Sequence, residues 1–320
     1  MLILADYAYQ CPGTVQEAVQ LLQQEGSVLM AGGSDLMPQL KFQTAEPKLM
    51  IDLSRIPELK VLEQRPDGFH IGSMVTLTAL AESPLVQNGL PALAQAAANV
   101  GSPQIRNRGT IGGNVLQARR CFYYNQTKEW RQGIPRCYKV GGDRCIQIPH
   151  APACRALYDS DLAPVLLACQ AAASVLTAEG EKTISCRELI EAHTADTLEK
   201  LLIREFIIPP LSGWSKFMKY SLRNSIDFPV INFAIAAEAG NVRFFAGAVA
   251  PCVVELTDTA KYLVQQGSDF DADEAANLAV EELTRKSQLI REAGLSIQTK
   301  RGAFRLVDEI LNAFKTAAAV

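Results

Sequence analysis

The apolar positions of this chain switch between two periods, and the switches mark out its elements. Residues 14–24 (TVQEAVQLLQQ) repeat at helical spacing, with Thr14 placed to cap the first turn. Gly26 ends that helix, and residues 27–31 (SVLMA) make the short continuous apolar run of a buried strand. The pattern then predicts a helix over 36–42, strands over 48–53 and 68–73, and helices over 76–82 and 90–100. Farther on it predicts strands over 171–177 and 201–208, with 178–182 as the turn after the first and Pro209-Pro210 as a natural boundary. Strands over 216–222, 230–237 and 242–248 follow, the last two joined as a hairpin by Glu238-Ala239-Gly240-Asn241. Helices over 255–265, 272–286 and 301–316 complete the chain. The first half thus alternates strands with helices, as α/β and α+β units do.

With 320 residues the chain can form one large domain or two medium ones. Hydrophobic residues make up 48%, charged residues 20%, and the net charge is −3, the make-up of an ordinary soluble globular protein. No basic stretch stands above the acidic background, which argues against nucleic acid as a partner. No apolar run is long enough to span a bilayer, and residues 1–10 lack the basic start of an export signal. A cytoplasmic location, away from membranes, is therefore expected. No Ser-His-Asp set, Cys-His pair or paired carboxylates emerge, so no catalytic residue is assigned.

Two paired-glycine loops carry the first chemical signal. In Leu29-Met30-Ala31-Gly32-Gly33-Ser34-Asp35-Leu36 a strand runs into two glycines and then a helix, leaving backbone N–H groups free for a phosphate. A tight turn that needs a positive φ explains the glycines equally well. The spacing is not G-x-G-x-x-G, so a classical dinucleotide fold is disfavoured. A second loop, Gly109-Thr110-Ile111-Gly112-Gly113-Asn114, repeats the device with hydroxyl and amide side chains beside it. Two such loops about eighty residues apart fit a ligand with two phosphates.

The second signal is a segment from 119 to about 159 with neither helical nor strand periodicity, unusually long for an irregular stretch in a compact domain. It holds Cys121, Cys137, Cys145 and Cys154, spaced C-x15-C-x7-C-x8-C. Cys11, Cys169, Cys186 and Cys252 stand apart and read as small hydrophobes. Structural zinc sites bring their cysteines as close pairs, which are missing here, whereas iron–sulfur sites accept wider spacing. Zinc, unligated thiols, and His150 in place of one cysteine are the alternatives. The aromatics Phe122, Tyr123, Tyr124, Trp130 and Tyr138 are placed either to shield a cluster or simply to pack the loop.

LMAGGSDL at 29–36, TIGGN at 110–114 and SDLAP at 160–164 together resemble the FAD-binding subunit of the molybdenum hydroxylases, the family of xanthine dehydrogenase and carbon monoxide dehydrogenase. The resemblance runs over essentially the whole chain and implies an α+β fold. A two-part FAD-binding domain over 1–178, with a small parallel sheet and an antiparallel sheet, would precede a C-terminal domain over 179–320 with a three-stranded antiparallel sheet. It implies that residues 29–36 and 110–114 wrap the pyrophosphate and ribityl chain, that Asp161 binds a polar group of FAD, that Val100 lines the flavin side, and that Lys219 lies against the FAD. Arg223 and Asp227, in the same FMKYSLRNSIDFP stretch, have no settled role. The Ser160-Asp161 pair also reads as a helix cap. In most such subunits Asn114 and Asp161 would lie close in sequence, whereas here 47 positions separate them and contain all four clustered cysteines. That insertion, with RRCFYYNQTKEWR at 119–131, resembles the 4-hydroxybenzoyl-CoA reductase FAD subunit, where four cysteines hold an extra 4Fe-4S cluster. A related insertion occurs in some bacterial aldehyde oxidoreductases. The implied partners are a large molybdopterin-binding subunit, a small 2Fe-2S subunit, and a ferredoxin-like donor or another acceptor.

Overall fold

A computed structural model describes residues 4–223, 226–238, 240–292 and 295–318. Three parallel strands open the chain, β1 (Ala8–Gln10), β2 (Ser27–Met30) and β3 (Leu49–Asp52), in the order β1-β3-β2. Helix Val15–Leu22 covers them, with the Thr14 side chain accepting from the Glu17 N–H. It buries Val15, Ala18, Val19 and Leu22, the single stripe that a 3.6-residue period predicts.

A five-stranded antiparallel sheet stands next to this unit. It contains β4 (Leu62–Arg65), β5 (Gly68–Gly72), β6 (Ala172–Thr177), β7 (Gly180–Ser185) and β8 (Leu202–Ile208), in the order β4-β5-β8-β6-β7. The expected turn over 178–182 is shorter than the sequence indicates. Strand β7 begins at Gly180 and pairs along its whole length with β6, from Ala172↔Ser185 to Thr177↔Gly180. Its residues GEKTIS are almost all exposed, so an edge strand without an apolar stripe left no period to detect. The sheet therefore runs on past residue 178 to Ile208, just before Pro209.

The last part is an antiparallel sheet of β9 (Trp214–Tyr220), β10 (Ile231–Glu238), β11 (Asn241–Gly247) and β12 (Val254–Glu255), in the order β12-β11-β10-β9. The two-residue β12 makes this sheet four-stranded rather than three-stranded; so short a strand shows no alternation. Glu238 pairs with Asn241 across the expected hairpin, whose Ala239 lies outside the described residues. Helices Thr257–Gln266 and Val307–Ala318 pack on this sheet, and Ala272–Lys286 packs against both of them. The predicted helix over 301–316 is broken, since Ile297–Gly302 and a 3-10 turn at Ala303–Leu306 precede Val307–Ala318.

Strand β10 explains how the halves are joined. Phe233 and Ile235 enter the C-terminal core, while Ala234 and Ala236 enter the large core beneath the five-stranded sheet. A strand buried on both faces reads as a continuous apolar run, and this one does from Phe233 to Ala237. Phe206 on β8 is fully buried in the large core. Phe206→Ala is expected to cost about 3–5 kcal/mol through the cavity it leaves, seen as a lower urea midpoint with an unchanged slope.

Candidate functional site

The two glycine loops face one another. A Cβ added at Gly113 would come to 3.8 Å from the Ala31 Cβ. Gly33 has φ +72°, the positive value the turn reading requires, and a Cβ on Gly32 would lie 1.7 Å from the Arg108 carbonyl oxygen. Among the described residues the N–H groups of Gly33 and Ser34 donate no hydrogen bond within the chain, and both residues line a cavity of about 390 Å³. Leu29, Ala31, Gly32, Asp35, Leu36, Thr110, Gly112 and Gly113 line the same cavity. The second loop is not a strand end as expected. Thr110 caps a short helix, Ile111–Val115, and its hydroxyl accepts from the Gly113 N–H.

A cavity of about 240 Å³ adjoins the first, sharing Ser34, Asp35, Thr110 and Gly113. Val100, Asn114, Asp161 and Lys219 line it. Met30 and Ile111 line neither, and Ile111 is fully buried in the core. The Asn114 side chain accepts from the Ser160 hydroxyl (2.7 Å) and the Leu162 N–H (3.4 Å), so it locks the loop to residues 160–162. Lys219 is not a solvated strand lysine. Its Nζ lies 2.8 Å from Asp161 Oδ2 and donates to the Asn99 carbonyl at 2.9 Å, with both charged side chains about 95% buried. Asn232 donates to the other Asp161 oxygen at 2.8 Å. Burial pushes the Asp161 carboxyl up, and the Lys219 cation with the Asn232 amide pulls it back.

Together the cavities fall within the size range of cofactor sites, with a mainly apolar lining and a few fixed polar groups. Free N–H groups at the glycine loop and a buried cation in the adjoining cavity fit the phosphates and polar edge of FAD.

The cysteine segment is anchored at its root. Arg120 and Leu157 exchange both backbone hydrogen bonds, at 2.7 and 2.8 Å. The Arg120 guanidinium reaches Asp35 of the glycine loop at 2.7 Å, and the Ala118 N–H donates to the same carboxylate at 2.9 Å. Farther out, Arg131 donates to the Phe42 and Gln43 carbonyls, and Gln147 to that of Arg291. The segment has one short helix, Lys128–Gln132, and a 3-10 turn at Tyr138–Val140.

Cys121, Cys137, Cys145 and Cys154 are all free thiols and all line one small cavity. Burial pushes the Cys121 thiol up, against hydrogen bonds from the Tyr123 and Tyr124 N–H groups and the Gln147 side chain. The Ala156 N–H points at the Cys154 sulfur, 3.4 Å away. Such N–H donors suit thiolate ligands. Among the described residues no three His, Cys, Asp or Glu side chains close round a point as a single ion requires. Zinc thiolates sit about 2.3 Å from their ion, whereas a cubane spreads its four over a larger body. The cavity is only about 20 Å³, the room of one water. Tyr123, Tyr124 and Tyr138 line it, while Phe122 and Trp130 meet edge to face at the surface instead. His150 is exposed and does not line it. Tyr124 and Lys139 stand in the walls of both this cavity and the larger glycine-loop cavity.

Several site groups escaped sequence reasoning. Arg119, His193 and Asp196 line the 390 Å³ cavity, with Arg119 and Lys139 both paired to Asp196. Asp159, buried and without a hydrogen-bond partner among the described residues, lines the smaller one. None carries a spacing signal; the fold alone assembles them. Arg223 pairs with Asp227 at 3.0 Å near the surface, and Asn224 and Ser225 between them lie outside the described residues.

An α+β fold with two glycine loops facing a cofactor-sized cleft defines a nucleotide-cofactor protein of a class apart from the dinucleotide fold. The family model for the FAD binding domain in molybdopterin dehydrogenase matches residues 5–211, and the chain belongs to that family. The carbon monoxide dehydrogenase medium chain of Hydrogenophaga pseudoflava is 46% identical over 111 residues, 34% of this chain and 39% of that one. The nicotine 6-hydroxylase medium subunit of Paenarthrobacter nicotinovorans is 40% identical over 140 residues, 43% of this chain and 50% of that one. The chain thus spans half or less of those relatives' lengths. The aldehyde oxidoreductase FAD-binding subunit of Escherichia coli is 27% identical over 274 residues, 79% of this chain and 85% of that one. The solved carbon monoxide dehydrogenase of H. pseudoflava has the same fold, with a TM-score of 0.77 at 24% identity over 99% of this chain and 98% of that one. No helix among the described residues is long and apolar enough to cross a membrane.

Two outcomes follow from the site. Gly32→Ala is expected to lower bound FAD at least tenfold, since its Cβ would collide with backbone rather than a flexible side chain; flavin absorbance of the purified protein checks it. Lys219→Met strands the Asp161 carboxylate and is expected to cost about 3–5 kcal/mol in urea unfolding. Adding Asp161→Asn to Lys219→Met should return part of that loss.

Proposed function

We propose that this chain is the electron-relay subunit of a multi-subunit oxidoreductase of the molybdenum hydroxylase type, holding FAD between its glycine loops and a 4Fe-4S cluster on Cys121, Cys137, Cys145 and Cys154. The observation that carries this reading is the lining of a single cavity by four free thiols, next to the glycine-loop cavity and sharing Tyr124 and Lys139 with it. When bound, a flavin exchanges electrons in pairs or singly and an iron–sulfur cluster singly, so together they match carriers of different stoichiometry. The chain's part is to hold and insulate them. Gly33 and Ser34 offer their N–H groups to phosphate, the Lys219 cation faces the smaller cavity, and Tyr123, Tyr124 and Tyr138 keep water from the sulfurs.

The partners in this proposal are a large molybdopterin-binding subunit, where substrate would react, and a small 2Fe-2S subunit. Residues 119–131 favour a 4-hydroxybenzoyl-CoA reductase-like complex, with electrons entering from a ferredoxin-like donor. An aldehyde oxidoreductase is the second reading, favoured by the E. coli relative, whose alignment is long enough that it must cross residues 119–159. We divide the chain at Pro209-Pro210, where the five-stranded sheet has ended.

Anaerobic purification of the chain should give flavin bands over a broad shoulder that dithionite bleaches, with iron and sulfide in equal amounts. Cys145→Ser should remove the iron, the sulfide and the shoulder while keeping the flavin bands. A colourless protein with stoichiometric zinc would sink the proposal.

A further inference from the structure

Among the described residues, Asp159 is the one carboxylate in the wall of the smaller cavity without a partner. Its side chain is 4% exposed, and neither Oδ1 nor Oδ2 has a hydrogen-bond partner among the described residues. An orphaned buried carboxylate is costly and calls for an explanation. Asp161, two residues on, shows the ordinary solution, since both its oxygens are matched by Lys219 and Asn232. Asp159 lies in the wall of the same cavity, with Asp161, Lys219, Arg120 and Asp227.

The charged groups around it form a graded set. Arg120 and Lys300 favour its anion, while Glu292 and Asp161 oppose it. Lys300 is itself fully buried and pairs with Glu292. Glu292 and Arg120 line a surface cavity of about 310 Å³ that also shares Asp227 and Phe228 with the inner one. A titratable residue on the inner wall and another on the outer wall are thus separated by shared side chains. Burial, then Glu292, pushes the Asp159 carboxyl up to about 7.

We propose that Asp159 is a redox-linked proton acceptor, which takes up one proton from solvent by way of the Glu292 cavity when two electrons enter the neighbouring cofactor. This inference rests on the FAD reading. Two electrons from the relay's reductant bring negative charge into the cavity, and a carboxylate that binds a solvent proton cancels one unit of it. That proton forms the Asp159 O–H bond and is additional to any proton the reduced cofactor itself takes up. Lys219 is already engaged by Asp161 and the Asn99 carbonyl.

The sign follows from the direction of the shift. Well below pH 7 Asp159 is protonated in both redox states and takes up nothing on reduction. Above about 7 it is ionised in the oxidised state, and the charge of the reduced cofactor raises it further, so one extra proton is bound per two electrons. The flavin couple of the FAD-loaded chain should then fall with pH by an additional tenfold in its equilibrium per pH unit, which is 29.6 mV for two electrons.

The test is a spectroscopic redox titration of the flavin bands from pH 5.5 to about 9, in the wild-type chain, Asp159→Asn and Glu292→Gln. Asp159→Asn should match the wild type below pH 7 and lose the additional slope above it, with flavin content retained. Glu292→Gln removes a like charge, so the onset of the additional slope should move to lower pH, which keeps the idea testable if Asp159→Asn fails to fold. A flavin-loaded Asp159→Asn with the wild-type slope throughout would overturn this inference alone, as would an unmoved onset in Glu292→Gln. A wild-type chain that takes up no FAD would overturn the cofactor reading with it.

Discussion

Arg120 is the contact on which the arrangement of this protein turns. Its backbone pairs with Leu157 to close the long irregular segment. Its guanidinium holds Asp35 of the first glycine loop and lies 4.2 Å from the centre of the Phe228 ring, in the C-terminal part. One residue thus joins the glycine loop, the cysteine segment and the loop after β9, and its chain neighbour is Cys121. A long loop is thermodynamically tolerable once its ends are fixed, because closure entropy grows only slowly with length. That is how more than thirty residues with little secondary structure can hold four thiols in one place.

Electrostatics inside the cleft follow a simple rule of pairing. The Asp161–Lys219 pair is buried with hydrogen bonds to spare, which makes it tolerable, and breaking either partner would leave a stranded charge. Arg119 and Lys139 share Asp196, so a residue of the cysteine segment helps form the wall of the larger cavity. Asp159 is the exception, and its position beside the cofactor cleft gives that exception a use.

Much of the site was legible in sequence because glycine is a local statement. A positive φ at Gly33 and a backbone approach at Gly32 leave no alternative residue, and both are marked by the letters themselves. The four clustered cysteines were legible for a similar reason, as a spacing without a structural period. The Lys219 environment was not, since a strand lysine is usually solvated and only the crossing of β9 with Asn99 and Asp161 buries it. Met30 and Ile111 show the converse. They belong to motif stretches, yet backbone alternation and helix geometry turn them away from both cavities.

The sequence by itself determined the order and kind of most elements, the two glycine loops and the set of thiols, because each is encoded over a few adjacent residues. Only the tertiary structure decided that β7 joins the five-stranded sheet, that β10 is buried on both faces, and that Asp159, Lys219 and Arg120 meet at one cleft. Those outcomes depend on contacts between residues tens of positions apart, and no local period or spacing records them.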